Sequence, residues 1–285
     1  MTAPVRAACI IGWPVEHSRS PLIHNYWLKH YGIAGDYRRE LVPREELAAF
    51  LGSLAARGYI GANVTVPHKE AALALSKPDE RARAVGAVNT LWFDGDVLRS
   101  TNTDVEGFLD NLDACAPRWD GDGGKAVVLG AGGAARAVTY GLLTRGVERI
   151  TVVNRTPSRA EILRQDFGVR VQVARWDGMD AALADAALLV NTTTLGMHGQ
   201  PDLAIDLAPL PSHAIVADLV YVPALTPLLA AAKARGLGTA DGLGMLLHQA
   251  VRGFALWFGT KPDITAQLRA LVEADLNVSG TKDSR

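Results

Sequence analysis

Short runs of β-branched and other apolar residues alternate along the chain with longer segments rich in alanine and leucine. The clearest pairs are residues 7–11 and 20–31, residues 61–66 and 68–75, and residues 126–129 and 133–145. Each short run is typical of a buried strand, and each longer segment is typical of a helix. Strands that alternate with helices in this way predict an α/β protein with mainly parallel sheet.

The pattern is most regular in the second half of the chain. We predict strands at 125–130, 149–154, 188–191 and 215–218, and helices at 134–145, 158–166 and 227–234. This repeat is typical of a Rossmann-like nucleotide-binding domain. A polar, glycine-rich stretch at 118–124 precedes it and indicates a domain boundary near or somewhat before that point.

Beyond Asp241 the pattern changes to a long helix, 245–258, and a shorter one, 263–275. Because the nucleotide-binding domain already has its strands and helices, we expect these two helices to return to the first domain. The predicted organisation is a substrate-binding domain of residues 1–105 and 242–285 and a nucleotide-binding domain of residues 106–241. We expect residues 279–285 to be frayed.

Charge and composition exclude several classes of function. The chain has 29 lysines and arginines against 30 aspartates and glutamates, and its net charge of -1 gives no support for nucleic-acid binding. Pro223 and Pro227 interrupt the apolar stretch 219–232, so we expect no membrane span, and the first residues do not resemble a signal peptide. Two distant cysteines, Cys9 and Cys115, and the absence of zinc-ligand spacing predict a soluble, cytoplasmic protein without a bound metal.

A glycine-rich segment lies between a predicted strand and a predicted helix, where a dinucleotide-binding turn is expected. It reads Gly130, Ala131, Gly132, Gly133, Ala134, Ala135. The first glycine permits a tight turn, the second lets the backbone approach a pyrophosphate, and Ala135 lets helix and strand pack closely. An ordinary strand-to-helix turn is the alternative, but the strands on both sides favour a nucleotide site, with the phosphates held at the helix N-terminus.

The end of the second strand of this region indicates which dinucleotide binds. The strand ends at Asn154, Arg155 and Thr156, and Arg159 follows one helical turn later. A site for NAD usually has a carboxylate here, whereas a site for NADP places arginine near the 2′-phosphate. Two guanidinium groups and the Thr156 hydroxyl can bind that phosphate, so we predict NADP.

Polar residues also cluster in the first domain. Ser18 and Ser20 precede Pro21 at a predicted helix start, where they could hold a small carboxylate, or Ser20 could simply cap the helix. Thr65 lies on the same strand face as Asn63. Lys69 lies in the first turn of the next predicted helix. Two further polar segments, 86–90 and 101–104, each close a short apolar run.

Seven segments of the chain together resemble shikimate dehydrogenase, in the order in which that family has them. They are residues 18–21, 63–69, 86–90, 102–104, 130–134, 154–156 and 241–249. The resemblance extends over nearly the whole chain. It implies NADP-linked interconversion of shikimate and 3-dehydroshikimate in the biosynthesis of aromatic compounds.

The resemblance also implies the roles of individual residues. Lys69 matches the catalytic lysine, and Asp104 is its expected partner. The residues expected to bind substrate are Ser18, Ser20, Thr65, Asn89, Asp104, Tyr221 and Gln249. The residues expected to bind NADP are Gly130, Ala131, Gly132, Gly133, Ala134, Asn154, Arg155, Thr156, Arg159, Thr192, Leu219, Gly242 and Met245. Two positions depart from the common pattern, with Thr192 where many relatives have alanine and Thr101 where glycine is frequent.

Oxidation of a secondary alcohol requires a hydride acceptor and a group that takes the hydroxyl proton. The nicotinamide supplies the first, and we expect Lys69 to supply the second. A neighbouring carboxylate stabilises the ammonium ion, so we assign Asp104 to orienting Lys69 and the reacting hydroxyl. We expect the lysine of the first domain to meet the nicotinamide of the second across an interdomain cleft.

Other functions remain possible at this point. A quinate/shikimate dehydrogenase that uses NAD is the nearest alternative, although such relatives tend to have threonine at position 20 and an acidic residue in the cofactor loop. A methyltransferase would be expected to have an acid where Asn154 stands, and a nucleotide-binding protein without turnover would not need both Lys69 and Asp104. The chain could be a monomer or a homodimer.

Overall fold

The chain forms two compact units. The computed structural model describes residues 6–121 and 124–282. The first unit comprises Met1–Thr103 and Leu247–Val272, and the second comprises Asp104–Leu246 and Glu273–Arg285.

These boundaries differ from the predicted 105/106 and 241/242, and the end of the last helix groups with the second unit. Two helices run through the later boundaries, and the first boundary coincides with the start of a helix. Sequence reasoning looks for boundaries in loops, so it cannot locate a boundary inside a helix.

Strands and helices alternate along the chain, and the α/β class is confirmed. The strands are β1 (Arg6–Gly12), β2 (Gly35–Leu41), β3 (Tyr59–Val64), β4 (Lys77–Pro78), β5 (Thr90–Asp94), β6 (Val97–Thr101), β7 (Lys125–Leu129), β8 (Arg149–Val153), β9 (Val171–Ala174), β10 (Leu188–Asn191), β11 (Ile215–Asp218) and β12 (Gly238–Ala240). The helices are α1 (Ser20–His30), α2 (Leu47–Gly52), α3 (Lys69–Ala74), α4 (Glu80–Val85), α5 (Asp104–Cys115), α6 (Gly133–Thr144), α7 (Pro157–Phe167), α8 (Met179–Leu183), α9 (Pro227–Ala234), α10 (Gly242–Phe258) and α11 (Ala266–Lys282). In the part of the chain that the structure describes, no helix is both long and apolar enough to cross a bilayer.

The sheet of the first unit is mixed, in the order β2-β1-β3-β5-β6-β4. Strand β1 pairs in parallel with β2 and β3, and β4 pairs in parallel with β6, whereas β5 is antiparallel to both of its neighbours. The segment 86–90 was expected to close an apolar run, but Thr90 instead opens β5. Strands β5 and β6 form a hairpin around Gly95, which has a positive φ of 58°.

The sheet of the second unit is parallel throughout, in the order β12-β11-β10-β7-β8-β9. The strand order reverses between β7 and β10, because β8 lies on one side of β7 and β10 on the other. In open parallel sheets, ligands bind outside the carboxyl ends of the strands at such a reversal. The glycine-rich segment follows β7 and therefore lies at this place.

Apolar side chains cover the sheets of both units. In the second unit, one buried cluster contains Val128 and Leu142 and another contains Leu129 and Leu229. In the first unit, a buried cluster includes the residues Cys9, Phe50 and Leu91. A set of aromatic rings in contact joins α1 and α10 to the β2 strand: His24, Trp27, Tyr37, Phe254 and Trp257.

The two C-terminal helices begin where side chains cap them. The Asp241 carboxylate accepts a hydrogen bond from the backbone N–H of Gly244 at 2.8 Å, so α10 begins at Gly242 rather than at residue 245. The Thr265 hydroxyl accepts a hydrogen bond from the backbone N–H of Leu268 at 3.1 Å, and α11 begins at Ala266 rather than at residue 263. Helix α11 extends to Lys282, into the segment 279–285 expected to be frayed, and residues 283–285 lie outside the described part of the chain.

Candidate active site

The turn after β7 requires glycine at its first position. Gly130 has a φ of +105°, and a Cβ atom there would lie 2.7 Å from the Thr192 hydroxyl oxygen. Its N–H donates to the Val153 carbonyl at 2.8 Å, which ties the turn to the end of β8. Thr192 donates to the Leu129 carbonyl through its hydroxyl at 2.6 Å, so the hydroxyl that replaces the more frequent alanine helps to hold the turn.

The helix that follows the turn has an open N-terminus. Gly132 caps α6 in an extended conformation without a side-chain hydrogen bond, and α6 begins at Gly133. A Cβ at either glycine would have no neighbouring atom within 4 Å. Ala131 and Ala134 are half-buried beside them, while Ala135 is fully buried against the sheet. The start of α6 thus has free space beside both glycines and no side-chain cap, and such a helix N-terminus fits the pyrophosphate of a dinucleotide.

Two arginines follow the end of β8, next to this turn. Asn154 donates from its amide to the Thr156 carbonyl at 2.8 Å, which bends the backbone before α7. Arg155, Thr156 and Arg159 are exposed. Among the described residues, neither arginine has a salt bridge, and the segment 154–159 contains no carboxylate. The arrangement suits a dianionic phosphate.

A buried carboxylate organises the loops after β10 and β11. The Asp218 carboxylate accepts hydrogen bonds from the Asn191 amide at 2.9 Å, the Thr226 hydroxyl at 2.7 Å and the Val220 N–H at 3.0 Å. Burial raises the pKa of Asp218, although these hydrogen bonds oppose the shift. Sequence reasoning did not single out Asp218 or Asn191, and its only available signal was a polar residue at the end of each strand.

The remaining expected cofactor residues lie beside these loops. The Leu219 N–H donates to the Asn191 carbonyl at 3.0 Å. A Cβ at Gly242 would lie 2.4 Å from the Leu219 carbonyl oxygen, so only glycine lets α10 start this close to the loop. Met245, one turn later, and Leu219 both pack against the buried cluster that contains Val128. Tyr221 is half-buried, two residues beyond Leu219.

In the first unit, the two expected carboxylate-binding serines stand at the start of α1. Ser20 is 4% exposed and is the first residue of α1, so it does not cap the helix, and the cap position is Arg19. The Ser18 hydroxyl accepts a hydrogen bond from the Ser20 N–H at 3.3 Å. The Arg39 guanidinium donates to the Ser18 carbonyl at 2.7 and 3.2 Å, which fixes this segment against β2.

The motif after β3 brings Thr65 and Lys69 to the same end of the sheet. Strand β3 ends at Val64, earlier than the predicted residue 66, and Thr65 then donates its N–H to the Ile11 carbonyl at 2.9 Å. Lys69 lies in the first turn of α3, as predicted, although α3 begins at Lys69 and not at residue 68, and its side chain is half-buried. Its carbonyl accepts a hydrogen bond from the Val88 N–H at 3.0 Å, which ties α3 to the segment before β5.

Asn89 is the centre of the polar cluster in the first unit. It is 3% exposed, and its side-chain oxygen accepts hydrogen bonds from the Thr103 N–H at 2.7 Å and the Thr103 hydroxyl at 3.1 Å. The Asn102 amide donates to the Ala87 carbonyl at 3.0 Å, and Thr101 is completely buried. Asp104 follows Thr103 directly, as the half-buried first residue of α5.

The expected residues therefore divide between the two units. Thr65, Lys69 and Asn89 share one end of the first sheet, and Ser18, Ser20 and Gln249 belong to the same unit, with Gln249 9% exposed on α10. The second unit contains Asp104, Tyr221 and all the expected cofactor residues.

Comparison with known proteins gives matches along most of the chain. Three family profiles match: the shikimate dehydrogenase substrate binding domain at residues 10–91, shikimate / quinate 5-dehydrogenase at residues 118–197, and the shikimate 5′-dehydrogenase C-terminal domain at residues 242–272. The chain is 66% identical over 276 residues to shikimate dehydrogenase (NADP(+)) of Rhodopseudomonas palustris strain TIE-1, which covers 97% of this chain and 99% of that relative.

Two solved structures illustrate the shared fold. Shikimate 5-dehydrogenase from Thermus thermophilus, in complex with NADP(H) and shikimate, superposes with a TM-score of 0.83 at 36% identity over 96% of this chain and 99% of that one. Quinate dehydrogenase from Corynebacterium glutamicum, in complex with NAD, gives a TM-score of 0.87 at 33% identity, over 94% of this chain and 99% of the quinate dehydrogenase chain. With sequence matches in both halves and a common fold, the chain belongs to the shikimate dehydrogenase family.

Proposed function

We propose that the chain catalyses the NADP-linked interconversion of shikimate and 3-dehydroshikimate. The observation that carries this proposal is the 66% identity, over 97% of the chain, to a protein named shikimate dehydrogenase (NADP(+)). The two arginines after β8 support the same cofactor. In this proposal most of the substrate-binding residues belong to the first unit, and the residues that bind NADP belong to the second.

The residues of the first unit are suited to hold a polyhydroxylated acid. Ser18 and Ser20 would bind the carboxylate, with the Arg39 guanidinium adding positive charge behind them. Thr65, Asn89 and Gln249, together with Asp104 and Tyr221, would bind the ring hydroxyls. Buried side chains whose orientation is already fixed by hydrogen bonds lose little conformational entropy when a ligand binds.

Lys69 would exchange the proton of the reacting hydroxyl, and Asp104 would orient the ammonium group. When bound, the nicotinamide of NADP supplies the hydride acceptor. The residues that would hold the cofactor are Gly130, Ala131, Gly132, Gly133 and Ala134 at the pyrophosphate, Asn154, Arg155, Thr156 and Arg159 at the 2′-phosphate, and Thr192, Leu219, Gly242 and Met245 near the nicotinamide.

An assay that crosses two substrates with two cofactors tests the proposed reaction. We expect strong reduction of the cofactor, followed by absorbance, with shikimate and NADP, and weak signals with quinate or NAD. The quinate dehydrogenase neighbour bound to NAD makes this comparison necessary. Strong activity with quinate and NAD would instead assign the chain to that reaction, and no turnover in any combination would indicate a nucleotide-binding protein or, with S-adenosylmethionine, a methyltransferase.

Replacing Arg155 by alanine tests the NADP assignment. A bidentate hydrogen bond between charged groups contributes about 1.5–3 kcal/mol, so we expect the KM for NADP to rise roughly ten- to a hundredfold. The kcat at saturating NADP should stay near the wild-type value. The matched control is Arg164→Ala, because Arg164 is exposed further along α7 and pairs with Glu161. An unchanged KM for NADP in Arg155→Ala would contradict the assignment.

We also propose that the enzyme acts in the cytoplasm as a monomer or homodimer, without nucleic-acid or membrane partners. Light scattering of the purified protein during gel filtration would give its mass in solution. A species larger than a dimer would contradict this part of the proposal.

A further inference from the structure

A continuous network of buried polar side chains runs beneath the expected substrate-binding residues of the first unit. The Tyr37 hydroxyl donates to the Asn63 side-chain oxygen at 2.5 Å. The Asn63 amide nitrogen donates to the Asn89 carbonyl at 3.0 Å and to the Thr90 hydroxyl at 3.1 Å. Thr90 in turn donates to the Asn89 side-chain oxygen at 3.1 Å, which also accepts from Thr103. The network joins β2, β3 and β5 to the segment that precedes α5.

Water has almost no access to these groups, so their hydrogen bonds must be made within the protein. Tyr37 is 2% exposed, Asn63 4%, Asn89 3%, and Thr90 and Thr103 are fully buried. An unsatisfied buried donor or acceptor is costly, and this cost favours one arrangement of the whole network.

Tyr37 supplies the donor at one end of the network. Burial raises the pKa of Tyr37 well above its ordinary value, so its hydroxyl keeps its proton and donates it. The Asn63 side chain presents its oxygen to Tyr37 and its nitrogen to the Asn89 carbonyl and the Thr90 hydroxyl. Because Thr90 accepts from Asn63, its own proton is directed at the Asn89 side-chain oxygen, which also accepts from the Thr103 N–H.

Backbone hydrogen bonds next to the network hold the segments that lead to Lys69 and Asp104. The N–H of Val88 donates to the Lys69 carbonyl at 3.0 Å, and Asn89 donates its N–H to the Thr101 carbonyl at 3.1 Å. Thr103, held by Asn89, is the residue before Asp104. The network that begins at the Tyr37 phenol therefore reaches residues expected to bind the ring hydroxyls.

We propose that Tyr37, acting through Asn63, is a positioning residue that orients Asn89 and the segment leading to Asp104 for catalysis. This inference rests on the proposed function. Tyr37 does not need to touch the substrate for this role, because its effect passes through the hydrogen bonds of Asn63.

Comparing two tyrosine-to-phenylalanine variants separates positioning from general stability. Tyr37→Phe removes the donor and leaves the ring stacked on His24 at a centroid distance of 4.2 Å. Tyr59→Phe is the matched control, since Tyr59 is a 5% exposed tyrosine of the same sheet whose hydroxyl donates to the Glu40 carboxylate. Both variants lose one hydrogen bond, and their melting temperatures report the structural cost.

We expect Tyr37→Phe to lower kcat/KM for shikimate roughly ten- to a hundredfold, because the buried Asn63 side-chain oxygen then loses its donor, which weakens the hydrogen bonds that Asn63 and Thr90 pass on to Asn89. The KM for NADP should change less than about twofold, and Tyr59→Phe should keep kcat/KM within about twofold of wild type. Asn63→Asp, which replaces the donating amide by an acceptor, should show a loss at least as large as that of Tyr37→Phe.

The outcomes separate a failure of the proposed function from a failure of the positioning role of Tyr37. A wild-type protein that does not oxidise shikimate would overturn the proposed function and this inference with it. An active wild type whose Tyr37→Phe variant keeps its kcat/KM would overturn only the positioning role. Equal losses of kcat/KM in Tyr37→Phe and Tyr59→Phe would also overturn it, because the effect would then follow stability alone. If Tyr37→Phe fails to fold, Asn63→Asp is compared with Tyr59→Phe in the same way.

Discussion

Replacing Lys69 by alanine is expected to lower kcat for shikimate oxidation roughly 100- to 10,000-fold, which is the usual contribution of a positioned acid–base group. The fold should be retained, because the hydrogen bond that ties Lys69 to Val88 uses the Lys69 carbonyl and not its side chain. Initial rates at saturating shikimate and NADP measure kcat, and circular dichroism checks the fold. The matched control is Lys77→Ala, which removes an exposed lysine of the same unit in β4.

A second substitution tests whether Asp104 acts with Lys69. If the two residues form one functional pair, the double variant Lys69→Ala/Asp104→Asn should be scarcely slower than Lys69→Ala alone. Multiplicative losses would indicate independent roles. Near-normal turnover in Lys69→Ala with only a higher KM for shikimate would show that Lys69 is a binding group.

His24 is expected to make the first unit sensitive to acid. The imidazole is fully buried between aromatic rings, and neither ring nitrogen has a hydrogen-bond partner of good geometry among the described residues. Burial lowers the pKa of His24 from 6.5 to about 3, an effect that the Asn63 amide opposes only in part. The folded protein therefore holds this imidazole neutral at pH values where the unfolded chain binds a proton.

The sign of the effect follows from the proton balance. Between pH 6.5 and pH 3 the unfolded state binds more protons at this site than the folded state, so the free energy of unfolding falls as the pH falls. Each pH unit in this range costs about 1.4 kcal/mol. From pH 7 to pH 4 the contribution of His24 should amount to about 3 kcal/mol, whereas above pH 7 it should be constant.

Urea unfolding of wild type and His24→Phe across this pH range measures the effect. The phenylalanine keeps an aromatic ring in the stack and cannot be protonated, so we expect the difference in unfolding free energy between the two proteins to change by about 3 kcal/mol from pH 7 to pH 4. His30→Phe, at an exposed position of α1, controls for the loss of a histidine. Parallel pH profiles for wild type and His24→Phe would contradict the prediction.

The elements that the sequence predicted best are those whose signals are local. The strand, glycine turn and helix around Gly130 occur where the apolar pattern and the glycine spacing place them. Other elements were not predicted, and β2 shows why. Its one buried residue is Tyr37, and the charged residues Arg38 and Arg39 that follow are exposed. Among the described residues, β2 is the edge strand next to β1, and most of its side chains are exposed or half-buried, so it shows no apolar period. The β5–β6 hairpin did have a signal, the Asp94-Gly95 turn between two apolar runs.

The candidate site shows the same division. Residues with unusual chemistry in short motifs, such as Lys69 and Arg155, can be picked out of the sequence and compared with a known family. The hydrogen bonds from Tyr37 to Asn63 and from Asn63 to Asn89 cannot be predicted in this way, because each joins residues that are 26 positions apart in the sequence. Their types, tyrosine and asparagine, occur anywhere in a protein.

By itself, the sequence determined the α/β class, through its local apolar pattern, and the family to which the chain belongs, through the resemblance of seven segments in order. It also contains the glycine turn and the arginines on which the proposed NADP site rests, because both are short local motifs. Only the tertiary structure decided that Asp218 organises the loops of the second unit, that His24 is buried among aromatic rings and that Tyr37, Asn63 and Asn89 share one buried polar network. Such facts depend on strand pairing and on the exclusion of water, and both arise only when distant segments pack together.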